Sequence, residues 1–341
     1  MKCRMQGIGM QEYERAILEQ YDMNVSSTRK TRGAVLCEGE KGLYLLKEIT
    51  SAEGRIPVLC ELCEYLGQQG FADIDEILPN KEGNYITQLE DGSKYIVKRW
   101  VHARECDIRK PAEILEASGR LAKLHISMRK PMEHPPGEAE ALQDEYMRHN
   151  RELKKVRRFI RAQTVKGTFE YEFLKCFDQM YQWADMAEDL LENSGYDTLR
   201  RESAEKFCMV HGEYNYHNIL VLKDVGPDLR MAITNFDKVK IDVQVEDLYY
   251  FLRKVMEKYG WKSRLGDNML NVYSAIRPLS DAEMEYMKIR FIYPEKFWKI
   301  ANSYYHSNKA WISVKNVQKL ETAICQTKEK ERFMENVFAF R

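Results

Sequence analysis

Along the first hundred residues apolar and polar positions alternate in short blocks; beyond them apolar residues recur at helical spacing. Thr31 to Glu38 reads as a strand, Gly39-Glu40-Lys41-Gly42 as a turn and Leu43 to Glu48 as a second strand, together a hairpin. A helix is expected from about Arg55 to Gln68, stopped by Gly70, because glycine takes the left-handed conformation that closes helices. Two more strands, Asn84 to Leu89 and Lys94 to Trp100, flank the turn Glu90-Asp91-Gly92-Ser93. Strand, strand, helix, strand, strand makes a small β-rich domain over residues 1–100.

Residues 101–341 form a second, helical domain in this reading. Pro111 to Met128 carries Ile114, Leu115, Leu121, Leu124 and Ile126 on a helical period, and proline suits a first helical turn. Met132-Glu133-His134-Pro135-Pro136-Gly137 breaks the pattern, and helices follow from about Ala139 to Gln163 and from Tyr171 to Glu192. One strand pair interrupts them, Asn218 to Lys223 and Leu229 to Phe236, joined by a turn around Gly226-Pro227. From Val245 onward the chain is helical again.

Composition narrows the partners. Lysine plus arginine and aspartate plus glutamate both number 53, so no global charge argues for nucleic acid. No apolar stretch is long enough to span a bilayer, and Met1 to Gln11 lacks the apolar run of a secretory signal, so synthesis in a cytoplasm is expected. Cys60 and Cys63 form a C-x-x-C inside the Arg55–Gln68 helix, with no second pair at zinc-finger spacing, and read as reduced, buried thiols.

The chemistry concentrates in His211-Gly212-Glu213-Tyr214-Asn215-Tyr216-His217-Asn218, followed by the hairpin ending Ile233-Thr234-Asn235-Phe236-Asp237. ATP-dependent phosphotransferases place one carboxylate on a loop to orient the acceptor hydroxyl. They add an asparagine five residues on for Mg²⁺, and an aspartate on the next hairpin for the metal that bridges the phosphates. Glu213, Asn218 and Asn235 reproduce that order, behind a β-rich domain containing Lys47.

On these motifs the chain resembles the aminoglycoside phosphotransferase and choline kinase superfamily, and within it the CotS-type spore coat proteins of endospore-forming bacteria. Further strings carry the likeness to the coat branch: Arg104-Glu105-Cys106-Asp107, Phe251 to Met256, Tyr293 to Lys299, Tyr304-Tyr305 and Asn308-Lys309-Ala310-Trp311. The resemblance implies an α+β, two-lobed protein-kinase-like fold, with ATP and Mg²⁺ as candidate cofactors. Lys47 would contact the nucleotide phosphates, with Glu61 preferred to Glu64 as its helix partner. Lys98 to Val101, with Lys98 and Trp100 as contacts, would form the hinge around adenine. Asn218 and Asn235 would occupy the metal-ligand positions, with Asp237 a further candidate ligand on the residue reading below, and Asp247 would brace the catalytic loop.

Two positions depart from the family. The catalytic aspartate is Glu213, longer by one methylene, and a misplacement of ~1 Å can cost about a hundredfold in rate. The metal aspartate is Asn235, which keeps an oxygen and loses its charge. Residues two apart on a strand share a face, so Asp237 either restores a carboxylate there or is a surface residue at the strand end. Two expectations follow. One is a pseudokinase serving spore coat assembly through other coat components; the other is an active kinase of a hydroxyl-bearing small molecule or glycan. Arg148 to Lys166 is strongly basic, either a solvated helix face or a dock for an anionic partner such as a phosphorylated glycan or an acidic coat protein. The aromatic residues from Phe291 to Trp311 read as helix core, and His125 and His217 as residues without chemistry.

Overall fold

Lys47, Lys98 and Trp100 stand on one face of a twisted antiparallel sheet, and the alternation of its strands puts them there. The computed structural model describes residues 10–31, 33–49, 53–71, 73–223, 229–307 and 314–340. The described chain divides into two units, one from Met1–Ala117, Lys130–Gly137 and His211–Val239, the other from Ser118–Arg129, Glu138–Val210 and Lys240–Arg341.

The first unit begins with α1 (Glu12–Leu18), β1 (Val25–Thr31), β2 (Ala34–Gly39), β3 (Gly42–Glu48) and α2 (Arg55–Gln68). Then come β4 (Ile77–Leu78), β5 (Thr87–Gln88), β6 (Lys94–Trp100), β7 (Ala103–Glu105) and α3 (Pro111–Ser127), whose last turns belong to the second unit. The sheet runs β1-β2-β3-β6-β4, with β5 also on β6, and every pairing is antiparallel. Register sets Leu43 opposite Trp100, Leu45 opposite Lys98 and Lys47 opposite Ile96. Side chains directly opposite in an antiparallel pair share a face. The other face, with Val35, Cys37, Tyr44, Leu46 and Val97, packs on Ile17, Leu18 and Tyr21 from α1 and the turn after it.

The second unit is helical: α4 (Leu142–Ala162), α5 (Thr168–Glu192) and α6 (Tyr196–Glu205) precede β8 (Met209–Val210). The first unit then contributes β9 (Ile219–Leu222) and β10 (Met231–Ile233), which pair antiparallel, β9 also pairing with β7. In the second unit β11 (Lys240–Ile241) pairs with β8, followed by α7 (Val245–Tyr259), α8 (Ser263–Ile276) and α9 (Asp281–Ile292). The last helices are α10 (Glu295–Tyr305), α11 (Val314–Cys325) and α12 (Thr327–Phe338). Aromatic rings fill this unit, with Phe297 stacked on Phe173 at 5.0 Å and Phe169 on Tyr304 at 4.5 Å; of the residues expected as core, Phe291, Tyr293, Phe297 and Tyr304 are buried, Trp298 and Tyr305 are partly exposed, and Trp311 lies outside the described residues. Among the described residues no helix is long and apolar enough to cross a membrane.

Several expected elements differ. The strand placed at Thr31 to Glu38 is divided by a turn at Gly33, φ +64°, and β1 lies before it, unforeseen because Val25-Ser26-Ser27-Thr28-Arg29-Lys30-Thr31 is almost wholly polar. Asn84 to Leu89 keeps only Thr87–Gln88 as strand, because the Asn80 side chain accepts the backbone N–H groups of Glu82 and Asn84 and bends the chain. The strand expected to reach Phe236 stops at Ile233, since Asn235 is left-handed (φ 68°) and Phe236–Lys238 is a 3-10 turn. Gly226-Pro227 and Asn308 to Trp311 lie outside the described residues, as do Met1 to Gly9 and Arg32.

Candidate functional site

The loop after β8 is built around its histidine. His211 is fully buried; its Nδ1 accepts the Glu213 N–H at 3.2 Å, so Nε2 carries the proton and donates to the Thr234 carbonyl at 3.0 Å. Gly212 has φ +78°, and a Cβ there would stand 2.2 Å from the Lys238 carbonyl oxygen, so only glycine fits. Asn218 donates its amide to the Glu213 carbonyl at 2.8 Å, and Asn215 donates to the same oxygen at 2.9 Å. The loop is thus tied to the hairpin behind it before any ligand is considered.

Around this loop three lysines and three carboxylates interlock. Lys47 pairs with Asp237 and approaches Asn235 Oδ1 at 3.5 Å. Lys98, only 3% exposed, binds Asp75 at 2.8 Å and reaches Asp237 at 3.3 Å. Asp75 also accepts the Asn235 N–H on both oxygens at 3.0 Å, which holds Asn235 in its left-handed conformation. Asn235 turns its Nδ2 to the Glu213 carboxylate at 3.3 Å, and Lys238 meets the other Glu213 oxygen at 3.1 Å. Burial pushes the Asp237 carboxyl up, but Lys98 and Lys47 outweigh it and hold it below its ordinary value. Burial also works against the Lys98 charge, and Asp75 and Asp237 more than offset it, holding its pKa above the usual lysine range.

The sequence-derived residues divide accordingly. Lys47, Asn235, Asp237, Glu213 and Asn218 come together. Of the two alternatives for Asp237, a carboxylate beside Asn235 by strand alternation or a surface residue at the strand end, neither describes it: the 3-10 turn carries it to Lys47 and Lys98. Glu61 does not join them: its carboxylate accepts the N–H groups of Glu133 and His134, both at 2.8 Å, because the α2 register turns it toward that segment. In its stead α2 presents Cys63, whose thiol is pushed up by burial and by the neighbouring Asp75 carboxylate. The Cys60 thiol rises to about 11, burial being the main cause, and the described cysteines are free. Lys98, expected at the adenine hinge, commits its ammonium to Asp75 and Asp237. Asp75 was missed. Its one sequence signal is Lys98 itself, a lysine within the apolar run of a central strand that needs an anion nearby. In the second unit Asp247 is buried and meets His125 at 3.2 Å.

Beyond the charged cluster a cleft of about 1000 Å³ continues along the sheet face, over Leu36, Leu45, Trp100, His102 and Leu220. Its lining sets Leu36, Leu43, Leu45 and Trp100 beside Lys47, Lys98 and Lys223, the apolar and cationic groups that a purine base and its phosphates need. The site fits a nucleotide. It fits a divalent cation poorly, because of the donors Asn218, Asn235 and Asp237 only one is a carboxylate, and two lysines hold it.

The basic helix α4 is largely engaged within the chain. Arg157 binds Asp178 at 2.7 Å, Arg148 pairs with Glu140, and Lys154 and Lys155 lie over the Tyr181 and Tyr305 rings.

Comparison with known proteins bears on the family and the fold. The family described as "Spore coat putative kinase YutH" matches residues 14–337. Spore coat protein S of Bacillus subtilis (strain 168) is 25% identical over 180 residues, 52% of this chain and 50% of that protein. The matched stretch thus spans about half the length of that curated relative. An aminoglycoside phosphotransferase from Alicyclobacillus acidocaldarius superposes with a TM-score of 0.83 at 16% identity, covering 95% of both chains. Spectinomycin phosphotransferase, solved with ADP and spectinomycin, gives 0.66 at 14% identity, covering 98% of this chain and 99% of that one. The fold is that of the kinase-like phosphotransferases, with a β-sheet N-terminal region and a helical C-terminal region.

Proposed function

The chain belongs to the YutH spore coat kinase family, and from that premise we propose that it serves the spore coat as a nucleotide-binding protein whose phosphotransfer is weak or absent. One observation carries the reading: Asn235 donates its amide to Glu213, while Lys47 is engaged by Asp237. A metal-loading site keeps excess negative charge for the ion. Here Lys47, Lys98 and Lys238 balance Asp75, Asp237 and Glu213. Each missing carboxylate charge forgoes about 4 kcal/mol per unit of cation charge at ~4 Å and an effective dielectric of 20. Phosphoryl transfer depends on metal-assisted electrostatics and positioning, so this loss falls on the chemistry itself.

Under this reading Trp100 to His102 border the base, Lys47 and Lys238 face the phosphates, and the protein acts by binding other coat components. The test is two measurements on the full chain. ATP or ADP should raise Tm, since ligand at a hundred times its Kd adds ~2.7 kcal/mol of stability. Radiolabelled ATP with hydroxyl-bearing sugars and amines should show little Mg²⁺-dependent transfer, and Asn235→Asp should make nucleotide binding more Mg²⁺-dependent. Robust turnover by the native chain, abolished in Glu213→Gln, would overturn the proposal in favour of an active small-molecule kinase.

A further inference from the structure

The helical unit encloses a small pocket that shares no lining residue with the nucleotide cleft. Trp183 of α5, Trp261 after α7 and Phe291 at the end of α9 form its mostly apolar wall. Gly260 and Trp261 both turn left-handed, at φ 65° and 58°, a conformation that bulky residues rarely adopt. The Trp261 indole N–H donates to Gln326 at 3.3 Å, and Gln326 donates to the Glu257 carbonyl at 3.0 Å, which ties the segment before α12 to the end of α7. The free space is about 50 Å³, enough for a few non-hydrogen atoms and far short of the ~300 Å³ at which drug-sized sites begin.

Positive charge is in surplus around this space. Arg253 binds Glu257 at 2.6 Å, Lys296 reaches the same carboxylate at 3.9 Å, and Lys299 binds Glu295 at 2.7 Å. Lys330 of α12 is left over. Among the described residues it has no carboxylate partner, and its ammonium stands 4.9 Å from the Trp183 ring centre and 6.0 Å from that of Trp261. Burial brings its pKa down to about 7, Arg253 adds to the fall, and Glu257, Glu295 and Glu331 oppose it. The ammoniums of Lys254 and Lys296 are lowered in the same way, by burial first and by neighbouring cations after it, against the pull of Glu257. Arg253, 6% exposed, keeps an Nε–H without a partner, which buried donors rarely do. Burial pushes the Glu295 carboxyl up, but Lys299, Arg290 and Arg253 outweigh it and hold it at about 2. Its Oε2, also without a hydrogen bond, therefore calls for no further cation.

We propose that this pocket binds a short-chain carboxylate of acetate to butyrate size, its oxygens taken by Lys330 and Arg253 and its alkyl end laid against Trp183, Trp261 and Phe291. One negative charge meets the unmatched ammonium, and hydrogen bonds between charged partners are the stronger kind. A multiply charged anion would bring more charge against the indoles than one ammonium offsets, and chloride would leave the apolar wall without a contact. The site stands apart from the nucleotide reading.

The test titrates sodium butyrate into the full chain by calorimetry, with intrinsic tryptophan fluorescence as a second readout. One saturable site is expected, tighter for butyrate than for acetate and indifferent to ATP. Lys330→Met, at a partly exposed position, should weaken it at least about tenfold, the size of one lost charge-assisted hydrogen bond. Lys330 must be charged to hold the anion, so affinity should fall about tenfold from pH 6 to 8.5, with proton uptake on binding at pH 8. The Lys330→Met variant should lose that pH dependence. Absence of a saturable site, equal affinity in a natively folded Lys330→Met variant, chloride binding as tightly as butyrate, or displacement by ATP would each overturn the proposal. Should Lys330→Met fail to fold, the pH profile and proton uptake of the native chain decide, a flat profile sinking the site.

Discussion

Lys98 is the residue on which the candidate site turns. An ammonium taken out of water is tolerated only beside compensating charge, and Asp75 and Asp237 supply it at 2.8 and 3.3 Å. Asp237 is shared with Lys47, so one carboxylate couples two lysines that stand on neighbouring strands. This makes a pH prediction. The folded-state pKa of Asp237 lies below its ordinary value, so its stabilisation is complete above the unfolded pKa of ~4 and is lost as pH falls through the lowered folded value. Asp237→Asn should therefore melt lower than the native chain at pH 7, with the gap closing as pH drops from about 5 to 3. A gap in Tm that stays constant over that range would show that the pairing contributes nothing to stability.

At the scale of elements, the sheet does two jobs through strand alternation. Leu43, Leu45 and Lys47 alternate with Tyr44 and Leu46, so one face lines the cleft while the other packs on α1. Such periodicity was readable for β3 and β6. It was not for β1, whose exposed polar strand carries no alternation, nor for the end of β10, where a left-handed Asn235 replaces strand geometry for the sake of a contact to Asp75. The helical unit depends on aromatic packing between α5 and α10. Phe297 is 2% exposed, stacked on Phe173 and set edge-on to Phe177. Phe297→Ala should cost about 4 kcal/mol in denaturant unfolding, the range for emptying a buried phenylalanine site. A loss under about 1 kcal/mol would mean that the interface collapses to fill the space.

Over the whole molecule, positive and negative side chains balance to a formal net charge of +0 at pH 7. Without net repulsion between copies, solubility should be lowest near pH 7 and rise toward pH 5 and pH 9, measurable by polyethylene glycol precipitation. A maximum near pH 7 would require strong local charge segregation instead. The β2–β3 hairpin, strand β6, helices α2 to α5 and the string from His211 to Asn218 were legible from the chain alone, because periodicity, capping and loop spacing are local properties. So was the replacement of the family's two aspartates by Glu213, which keeps its carboxylate, and Asn235, which loses it. Which charges meet was decided only by the tertiary structure. Glu61 turned to the segment at Glu133 and His134, Asp75 arrived from the stretch before β4, and Asp237 reached two lysines through a tight turn. The physical reason is that an ion pair is set by distances across the fold, and residues separated by 139 or 190 positions leave no periodic trace of their meeting.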